Sequence, residues 1–349
     1  MQHKNIPGTD ISVPIICLGS MNWGQQNTET QAHEQLDYAL SKGINFIDTA
    51  EIYPVPPEKE KQGTTERYIG SWLKKRGKRD DVVIASKVCA SNTIQTRPYA
   101  DGTQTRYTRE QIRVAIEGSL MRLGTDYLDL YQVHWPERRT NFFGVRNVDF
   151  VDETQSTPIE ETLSALHELV KEGKVRAIGV SNETPWGVSE YLRLSREKGL
   201  ARISTIQNQY SLTNRSFEIG LSEISMKEDV GLLSYSSLSG GALSGKYIDG
   251  ARPAGARFTL YTRNADRYNN QHVQPAIEKY VALARESGLD PSAMALAFCA
   301  RQPFMTSVII GATTLEQLAT DIEAGDLVLP KDVLAGIDVI YRAMPDPQA

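Results

Sequence analysis

Short apolar segments alternate with amphipathic segments along the whole chain. The short segments are continuous and rich in Val, Ile and Leu, which is typical of strands buried on both faces of a parallel sheet. Strands that alternate with helices form right-handed βαβ units, so the pattern predicts an α/β fold. Eight strands are predicted, at Val13–Leu18, Ile44–Ile47, Val82–Ala85, Tyr127–Val133, Val175–Val180, Ser204–Gln207, Gly231–Ser234 and Ser307–Ile310.

The segments between the strands show helical periodicity. Several begin at a capping residue or an early proline, as at Thr108 and Pro185, and several end near a glycine, as at Gly77. The last two strands are joined by two predicted helices rather than one. The predicted helices are Thr28–Lys42, Thr64–Arg76, Thr108–Leu123, Pro158–Glu172, Pro185–Glu197, Asn214–Glu228, Gln274–Ser287, Pro291–Arg301 and Thr314–Glu323.

Eight strand–helix units fit either a closed barrel or an open, doubly wound sheet. An open sheet that binds a dinucleotide needs a GxGxxG turn after its first strand, whereas Gly19–Gly24 reads GSMNWG. We therefore predict a (β/α)8 TIM barrel that residues 1–349 form as a single domain, since such barrels often exceed about 250 residues. Residues 1–12 are expected to form an N-terminal β-hairpin that caps the bottom of the barrel.

Three connections are too long to be simple turns: Cys89–Tyr107, Trp135–Thr157 and 236–272. All three follow strands and so belong on the C-terminal face of a barrel, where barrel enzymes place their active sites. The second connection is aromatic, and its rings either line a substrate pocket or form a small core under the loop. These aromatic residues are Trp135, Phe142, Phe143 and Phe150.

Composition narrows the class of protein. The net charge of −5 argues against bulk binding to nucleic acid or to an anionic membrane. The three cysteines are not closely spaced, so neither a disulfide framework nor a metal site is predicted, and their number suits a reducing compartment. No apolar run of about 18 residues and no signal-peptide stretch occurs, so we expect a cytoplasmic protein. The sequons at Asn182 and Asn214 are then chance matches.

Residues that can take part in proton transfer stand at the ends of successive predicted strands. Asp48 ends the second strand and Tyr53 follows it, Lys87 ends the third strand, and His134 ends the fourth. Taken alone, Asp48 fits a turn cap, Lys87 a solvated strand end and His134 a core histidine. Tyr53 alone fits packing on the turn that follows. In a barrel these strand ends ring one mouth, so their convergence indicates a catalytic site.

Such a set suits the reduction of a carbonyl. A carbonyl that receives hydride needs a proton on its oxygen, and a tyrosine phenol has an ordinary pKa of about 10. The ammonium of Lys87 is expected to lower the pKa of Tyr53, and Asp48 is expected to neutralise the buried ammonium. His134 can donate a hydrogen bond to the carbonyl oxygen and orient it.

The chain resembles the aldo-keto reductase family over nearly its whole length. The matching segments are Gly43–Tyr53, Leu128–Pro136, Ile178–Asn182, Leu233–Tyr247 and Ile310–Gln317. The resemblance implies a (β/α)8 barrel with an Asp-Tyr-Lys-His tetrad, whose roles fall on the four residues above without substitution. Within the family the chain is similar to the bacterial NADP(H)-dependent, Tas-type reductases near the potassium-channel β-subunits.

The same resemblance implies that the cofactor is NADPH or NADP+. Ser181, Asn182 and Gln207 would hold the nicotinamide amide, and Tyr235 would stack on the ring. From the sequence alone, Ser181 and Asn182 also fit a helix cap, and Tyr235 fits packing in a barrel layer. The substrate pocket is expected to include Trp23, Tyr53 and Trp135. Further expected cofactor contacts are Gly19, Ser20, Met21, Asp48, Ser236, Leu238, Gly240, Lys246, Arg257, Gly311, Thr313, Gln317 and Asp321.

The segment Gly240–Tyr247 nearly matches the Walker A pattern GxxxxGK[ST]. Tyr247 replaces the hydroxyl residue that would bind Mg²⁺, and the Gly- and Pro-containing segment 249–255 cannot continue the required helix. We interpret the segment as a glycine loop that binds a pyrophosphate, and keep NTP hydrolysis as a minor alternative.

The preference for NADP over NAD depends on few residues. Thr314 and Gln317 form a predicted capping box, and the N-terminus of a helix favours an anion. By resemblance the adenosine 2′-phosphate and the adenine bind here. The helix that follows contains no Lys or Arg, so a 2′-phosphate would depend on Lys246 and Arg257, with Arg252 as a weaker candidate. Asp321 stands where channel-type relatives usually carry Asn. The sequence therefore leaves the strength of the preference open.

The predicted function is NADP(H)-dependent reduction of aldehydes or ketones to alcohols by a monomeric enzyme that acts on a small-molecule carbonyl substrate. The alternative is an NADPH-binding, redox-sensing subunit with little turnover, as in the channel β-subunits. His134 favours the enzyme, because channel relatives typically carry Asn at this position. The natural substrate and the physiological direction of the reaction cannot be read from the sequence.

Overall fold

The structure, a computed structural model, describes residues 1–90, 105–143, 156–268 and 270–348, without the side chains of residues 263–265. Eight parallel strands close into a barrel in sequence order, and the last strand pairs with the first. The predicted (β/α)8 barrel is confirmed. The barrel strands are β3 (Ile16–Gly19), β4 (Phe46–Asp48), β5 (Val83–Val88), β6 (Leu128–Val133), β7 (Val175–Ser181), β8 (Ile203–Gln209), β9 (Gly231–Tyr235) and β10 (Met305–Ile310).

Helices between the strands pack their apolar faces on the outside of the barrel. Single helices or short helical groups follow the strands, and two long helices precede β10. The helices are α1 (Glu29–Ser41), α2 (Thr64–Arg76), α3 (Arg109–Leu123), α4 (Ile159–Lys171), α5 (Pro185–Lys198), α6 (Leu221–Glu228), α7 (Arg257–Leu260), α8 (Thr262–Tyr268), α9 (Gln274–Glu286), α10 (Pro291–Ala300), α11 (Leu315–Glu323) and α12 (Lys331–Ala343). Short 3₁₀ helices occur at Lys59–Lys61, Ser216–Glu218, Ser239–Ser244, Ile248–Gly250 and Ala324–Asp326.

A two-stranded hairpin closes the bottom of the barrel, as predicted. Its strands, β1 (His3–Asn5) and β2 (Ser12–Pro14), pair antiparallel. Side chains of the hairpin pack into one apolar cluster with residues that point into the barrel, so the bottom is sealed by hydrocarbon. This cluster, which we call the barrel plug, consists of Ile6, Ile11, Val13, Cys17, Phe46, Val83, Ala85, Leu130, Ala177 and Leu233.

The predicted first strand, Val13–Leu18, was wrong at its start. Val13 belongs to the hairpin strand β2, and the barrel strand begins only at Ile16. The run Val13–Leu18 is buried throughout, across the end of one strand and the start of the other, so hydrophobicity alone does not mark the boundary.

Two predictions on helices also need correction. The predicted helix Asn214–Glu228 is broken at Gly220, whose φ of 86° is outside the helical region, and only Leu221–Glu228 is α-helical. The helices α7, α8 and α12 were not predicted. The apolar residues Val333 and Ile337 lie one turn apart on the buried face of α12, so this helix could have been recognised from the sequence.

The strand register brings polar residues to one end of the barrel. Gly19 lies opposite Asp48, and Lys87 lies opposite Gln132. Because all eight strands are parallel, their carboxyl ends share this mouth. Parts of the first two long connections, including the predicted wall residue Phe150, lie outside the described residues. Across the described part of the chain, no helix is both long and apolar enough to cross a membrane.

Candidate active site

The four residues of the predicted tetrad meet at the mouth of the barrel. The ammonium of Lys87 donates to Asp48 Oδ2 at 2.6 Å and to the main-chain oxygen of Thr49 at 2.8 Å. Its third contact is the hydroxyl of Tyr53, at 3.3 Å. The imidazole of His134 lies edge-on to Tyr53, with ring centroids 5.6 Å apart. All four side chains are buried, so little water competes for these bonds.

Burial and charge act against each other on Lys87. Burial alone would lower the pKa of this ammonium, but Asp48 and Tyr53 together raise it above its ordinary value. Lys87 is therefore charged at neutral pH. The lysine and Asp48 form a buried ion pair in which three donors of the ammonium all have acceptors.

The expected lowering of the pKa of Tyr53 is not seen in the protein alone. Burial raises the pKa of the phenol above 10 and outweighs the opposing effect of Lys87. Sequence reasoning identified the neighbour but not the depth of burial, and desolvation disfavours a phenolate. Tyr53 is thus held as a neutral phenol, which is the form that can donate a proton.

His134 is held in its neutral form. Burial, with a smaller contribution from Lys87, puts the pKa of the imidazole well below 6.5. Cys89 Sγ lies 3.1 Å from His134 Nδ1. A thiol has a proton to donate, so this contact favours Nδ1 as the acceptor and leaves the imidazole proton on Nε2. An Nε2–H group can then donate to the oxygen of a bound carbonyl.

Cys89 is a residue that sequence reasoning missed. It follows Lys87 by two positions and lies immediately after β5, which ends at Val88, so it stands at the same carboxyl end of the barrel as the lysine. Its backbone nitrogen is fixed by the carboxylate of Glu51, at 2.7 Å. The two-residue spacing from a catalytic lysine was the signal that could have found it.

Residues at the ends of β7, β8 and β9 form a connected group beside the tetrad. Gln207 Nε2 donates to Asp48 Oδ1 at 2.8 Å, and Ser181 Oγ donates to the main-chain oxygen of Gln207 at 2.7 Å. Asn182 Nδ2 donates to the main-chain oxygen of His134, and Asn182 Oδ1 accepts from Tyr235 at 2.6 Å. The structure thus brings four predicted nicotinamide-binding residues together with the tetrad.

The end of β3 lies on the other side of Asp48. Ser20 donates its backbone nitrogen to Asp48 O at 3.0 Å, and its buried hydroxyl has no hydrogen-bond partner among the described residues. A Cβ on Gly19 would come within 2.8 Å of the main-chain oxygen of Ile310, so only glycine fits there. Met21 packs at the edge of the cluster that contains Tyr53.

The glycine loop follows β9. It contains the 3₁₀ helix Ser239–Ser244 and runs through the left-handed region at several positions, with φ of 65° at Gly240 and 97° at Gly241. A Cβ on Gly240 would meet the ring of Phe258 at 2.9 Å, so this residue needs both its φ and its lack of a side chain. A short 3₁₀ turn at Ile248–Gly250 follows rather than a helix, so the loop is not a Walker A motif.

Two basic residues and one acid lie around this loop. Arg257 donates to Asn22 Oδ1 at 3.1 Å, and burial lowers the pKa of its guanidinium. Burial also lowers the pKa of Lys246, while the nearby Asp321 raises it. Burial raises the pKa of Asp321 to about 8, Asp290 acts in the same direction, and Lys246 opposes both.

The N-terminus of α11 faces the same region. Thr314 caps this helix by accepting from the backbone nitrogen of Gln317 at 3.2 Å. The second hydrogen bond of a capping box, from the backbone nitrogen of Thr314 to the side chain of Gln317, is absent in this described segment. The Gln317 side chain accepts instead from the nitrogen and hydroxyl of Thr313, both at 3.0 Å. Gly311 precedes this turn and is exposed.

Aromatic residues form a wall beside the tetrad. The ring of Trp135 lies 4.5 Å from that of His134, and Phe143 packs against Trp135 at 6.1 Å. Phe142 packs on Phe143 at 4.9 Å. The predicted pocket residue Trp23 is instead fully buried in the main core, and its indole donates to Gln35.

Comparison with known proteins identifies the family. A model of the aldo/keto reductase family matches residues 15–342. The chain belongs to the aldo/keto reductase family. It is 51% identical over 350 residues to protein tas of Escherichia coli (strain K12), with 99% of each chain covered. It is 32% identical to the uncharacterized oxidoreductase YrpG of Bacillus subtilis (strain 168), over 98% of this chain and 96% of that protein.

A third relative comes from the branch expected from the sequence. The chain is 27% identical to a probable voltage-gated potassium channel subunit beta of Oryza sativa subsp. japonica, over 99% of this chain and 98% of that protein. The predicted family and its neighbouring branches are therefore confirmed. The protein is an oxidoreductase of the aldo/keto reductase family.

Members of this family usually bind NADP(H), and the residues of this aldo/keto reductase fit such a cofactor. The buried, unpartnered hydroxyl of Ser20 lies at the mouth beside Asp48. Arg257 is half-buried, and the groups that interact with it electrostatically are phenols rather than carboxylates. A dinucleotide with a 2′-phosphate supplies both a hydrogen-bonding group and an anion, which are the partners these residues need.

Proposed function

We propose that this aldo/keto reductase is an NADP(H)-dependent reductase of aldehydes and ketones. The observation that carries the proposal is the position of the Tyr53 hydroxyl, which lies 3.3 Å from the ammonium of Lys87 in a buried cluster. A neutral phenol beside a fixed positive charge can give its proton to a carbonyl oxygen, because the ammonium stabilises the phenolate that results.

The other members of the cluster support this proton transfer. Asp48 keeps the ammonium of Lys87 charged and in place. His134, neutral and with its proton favoured on Nε2, would hold the carbonyl oxygen close to Tyr53. Two donors on one oxygen polarise the carbonyl and fix its orientation.

NADPH would supply the hydride that reduces the carbonyl carbon. We propose that Ser181, Asn182 and Gln207 hold its nicotinamide amide and that Tyr235 packs against the ring. The glycine loop and the N-terminus of α11 would receive its phosphates, with Lys246 and Arg257 as the nearest cations. The reacting groups then meet inside the mouth of the barrel, where the tetrad side chains are buried and water is largely excluded.

Similarity to a probable potassium channel subunit beta supports a second candidate, a binding subunit that senses the redox state of its cofactor. In that case the cofactor binds and turns over slowly. The histidine at position 134 favours the enzyme, since it gives the site a second donor for a carbonyl oxygen.

The test is NADPH oxidation, followed by absorbance, with a panel of aromatic and aliphatic aldehydes. Tyr53→Phe removes the proposed proton donor and should lower kcat by about 10²- to 10⁴-fold while the Kd for NADPH stays unchanged. Tyr127→Phe makes the same substitution just before β6, away from the mouth, and should have no effect on either quantity. Full turnover in Tyr53→Phe would remove this residue from the mechanism.

Tight NADPH binding without turnover of any carbonyl would favour the sensing subunit. The sharpest control is NADH at matched concentration, because the proposal assigns Lys246 and Arg257 to a phosphate that NADH lacks. Equal rates with both cofactors would contradict the NADP(H) part of the proposal.

A further inference from the structure

A guanidinium at the mouth of the barrel has no acidic partner in the described part of the chain. Arg267 belongs to α8, in the long connection after β9, and is half-buried. It donates to Gln209 Oε1 at 2.7 Å, and the groups that interact with it electrostatically are the phenols of Tyr235 and Tyr268. A buried or half-buried charge normally has a partner of opposite sign, because desolvation is costly. Arg267 therefore has the capacity to bind an anion.

Arg267 lies on the substrate side of the mouth. Its guanidinium carbon is 5.5 Å from the centre of the Phe143 ring, in the aromatic wall. Phe143 packs at 6.1 Å on Trp135, whose ring is 4.5 Å from His134. A substrate whose carbonyl contacts His134 and whose body lies along this wall would extend toward Arg267.

Gln209 adds a second donor at the same place. Its amide oxygen is used by Arg267, and its buried amide nitrogen has no hydrogen-bond partner among the described residues. Gln209 Nε2 therefore lacks an acceptor among the described residues, and the guanidinium has further N–H groups beyond those directed at Gln209 and Tyr235. A carboxylate has two acceptor oxygens and a geometry that suits a guanidinium.

The cations assigned to the cofactor have other polar partners, although Arg257, like Arg267, lies near the phenol of Tyr268. Arg257 contacts Asn22 in the loop after β3, and Lys246 interacts with Asp321. Arg267 instead contacts Gln209 at the end of β8 and Phe143 in the aromatic wall after β6. We propose that Arg267 binds the carboxylate of the carbonyl substrate, so that the enzyme acts on oxo acids, that is, aldehydes or ketones that carry a second, anionic group. This inference rests on the proposed reductase function.

The experiment compares an acid with its ester, so that the reacting aldehyde stays the same. The probes are 4-carboxybenzaldehyde, which is a carboxylate at neutral pH, and methyl 4-formylbenzoate. The intrinsic reactivity of the two aldehydes differs, but this difference is the same for every variant and cancels when variants are compared. The readout is the ratio of kcat/KM for the acid to kcat/KM for the ester, with the Kd for NADPH measured in parallel. General damage to the wall lowers both rates and cancels in this ratio.

Arg267→Met keeps the length of the side chain and removes its charge. We expect it to lower the acid-to-ester ratio by about 10- to 100-fold, since hydrogen bonds to a charged group are the stronger class. Arg267→Lys should restore part of the ratio. Arg139→Met, which removes an exposed cation from the loop after β6, should leave it unchanged. The Kd for NADPH should be the same in all four proteins.

Two results would overturn the inference. If the acid and the ester lose activity together, Arg267 supports the wall and does not bind substrate. If NADPH binding weakens while the ratio stays constant, Arg267 belongs to the cofactor phosphates.

Calorimetric binding of 4-(hydroxymethyl)benzoate and its methyl ester, in the presence of NADP+, separates this inference from the proposed reductase function. If neither aldehyde is reduced, the reductase function fails. Binding of the acid that depends on Arg267 would still uphold the anion site, and absence of such binding would reject it.

Discussion

Asp321 allows a quantitative test because its carboxyl group is buried and its environment raises its pKa. The pKa is raised from 3.8 to about 8, mainly by burial. The folded protein therefore binds this proton more tightly than the unfolded chain, and stability falls as pH rises from about 4 to 8 and is flat above that window. Substitution by Asn keeps the shape of the side chain and removes the titration.

The magnitude follows from the two pKa values. Each pKa unit corresponds to about 1.4 kcal/mol, so the buried carboxyl destabilises the fold by about 3 kcal/mol at pH 6 and about 6 kcal/mol at pH 9. Between these two pH values the wild-type protein should lose about 3 kcal/mol more than Asp321→Asn. Glu316→Gln, which neutralises an exposed carboxylate on the same helix, should follow the wild type.

Urea unfolding at pH 6 and pH 9, followed by circular dichroism and tryptophan fluorescence, measures these differences. The two signals should change together, so that a single free energy of unfolding is defined. If wild type and Asp321→Asn depend on pH equally, the carboxyl does not titrate in this window and the proposed protonation is wrong. The Kd for NADPH gives a second readout, because an ionised Asp321 beside Lys246 would repel a phosphate. NADPH binding should weaken through pH 8 more steeply in the wild type than in the variant.

Two further substitutions test the cofactor site and the packing of the fold. Arg257→Ala should raise the Kd for NADPH by about 10- to 100-fold and the Kd for NADH by less than about 3-fold, because only NADPH carries the 2′-phosphate. Fluorescence titration measures both dissociation constants. An equal loss of affinity for the two cofactors would place the 2′-phosphate elsewhere. Gly70→Ala should destabilise the protein by about 1–3 kcal/mol in urea, because its Cβ would lie 2.2 Å from the main-chain oxygen of Arg122. Gly336→Ala, whose Cβ would meet only the flexible side chain of Leu283, is the matched control, and equal costs at both positions would refute this reading of the packing.

The alternation of strands and helices, together with the lack of a GxGxxG turn after the first strand, predicted the barrel, and the strand ends predicted the cluster at its mouth. Asp48, Lys87 and His134 could be found because parallel strands bring their carboxyl ends to one place. The break at Gly220 could not be found in the same way, because a glycine near a helix start is equally compatible with a cap. The boundary between Val13 and Ile16 was hidden because the residues from Val13 to Leu18 form one continuous buried, apolar run.

The sequence predicted which residues lie next to each other better than it predicted how deeply they are buried. It placed Lys87 beside Tyr53, but the sign of the change in the pKa of Tyr53 depends on how much water the fold removes. Trp23 lies in a motif at the mouth, yet its side chain turns into the core to reach Gln35. The contact between Cys89 and His134 joins two strands, and its distance follows from the twist of the barrel rather than from any local pattern.

The barrel plug determines from which side a proton can reach Tyr53. Hydrocarbon from the hairpin and the lower barrel fills the space beneath the buried ion pair, so the interior is a cup with one opening rather than a tube. A proton consumed at Tyr53 is then replaced only from the open side. Whatever covers that opening also isolates the phenol from bulk solvent.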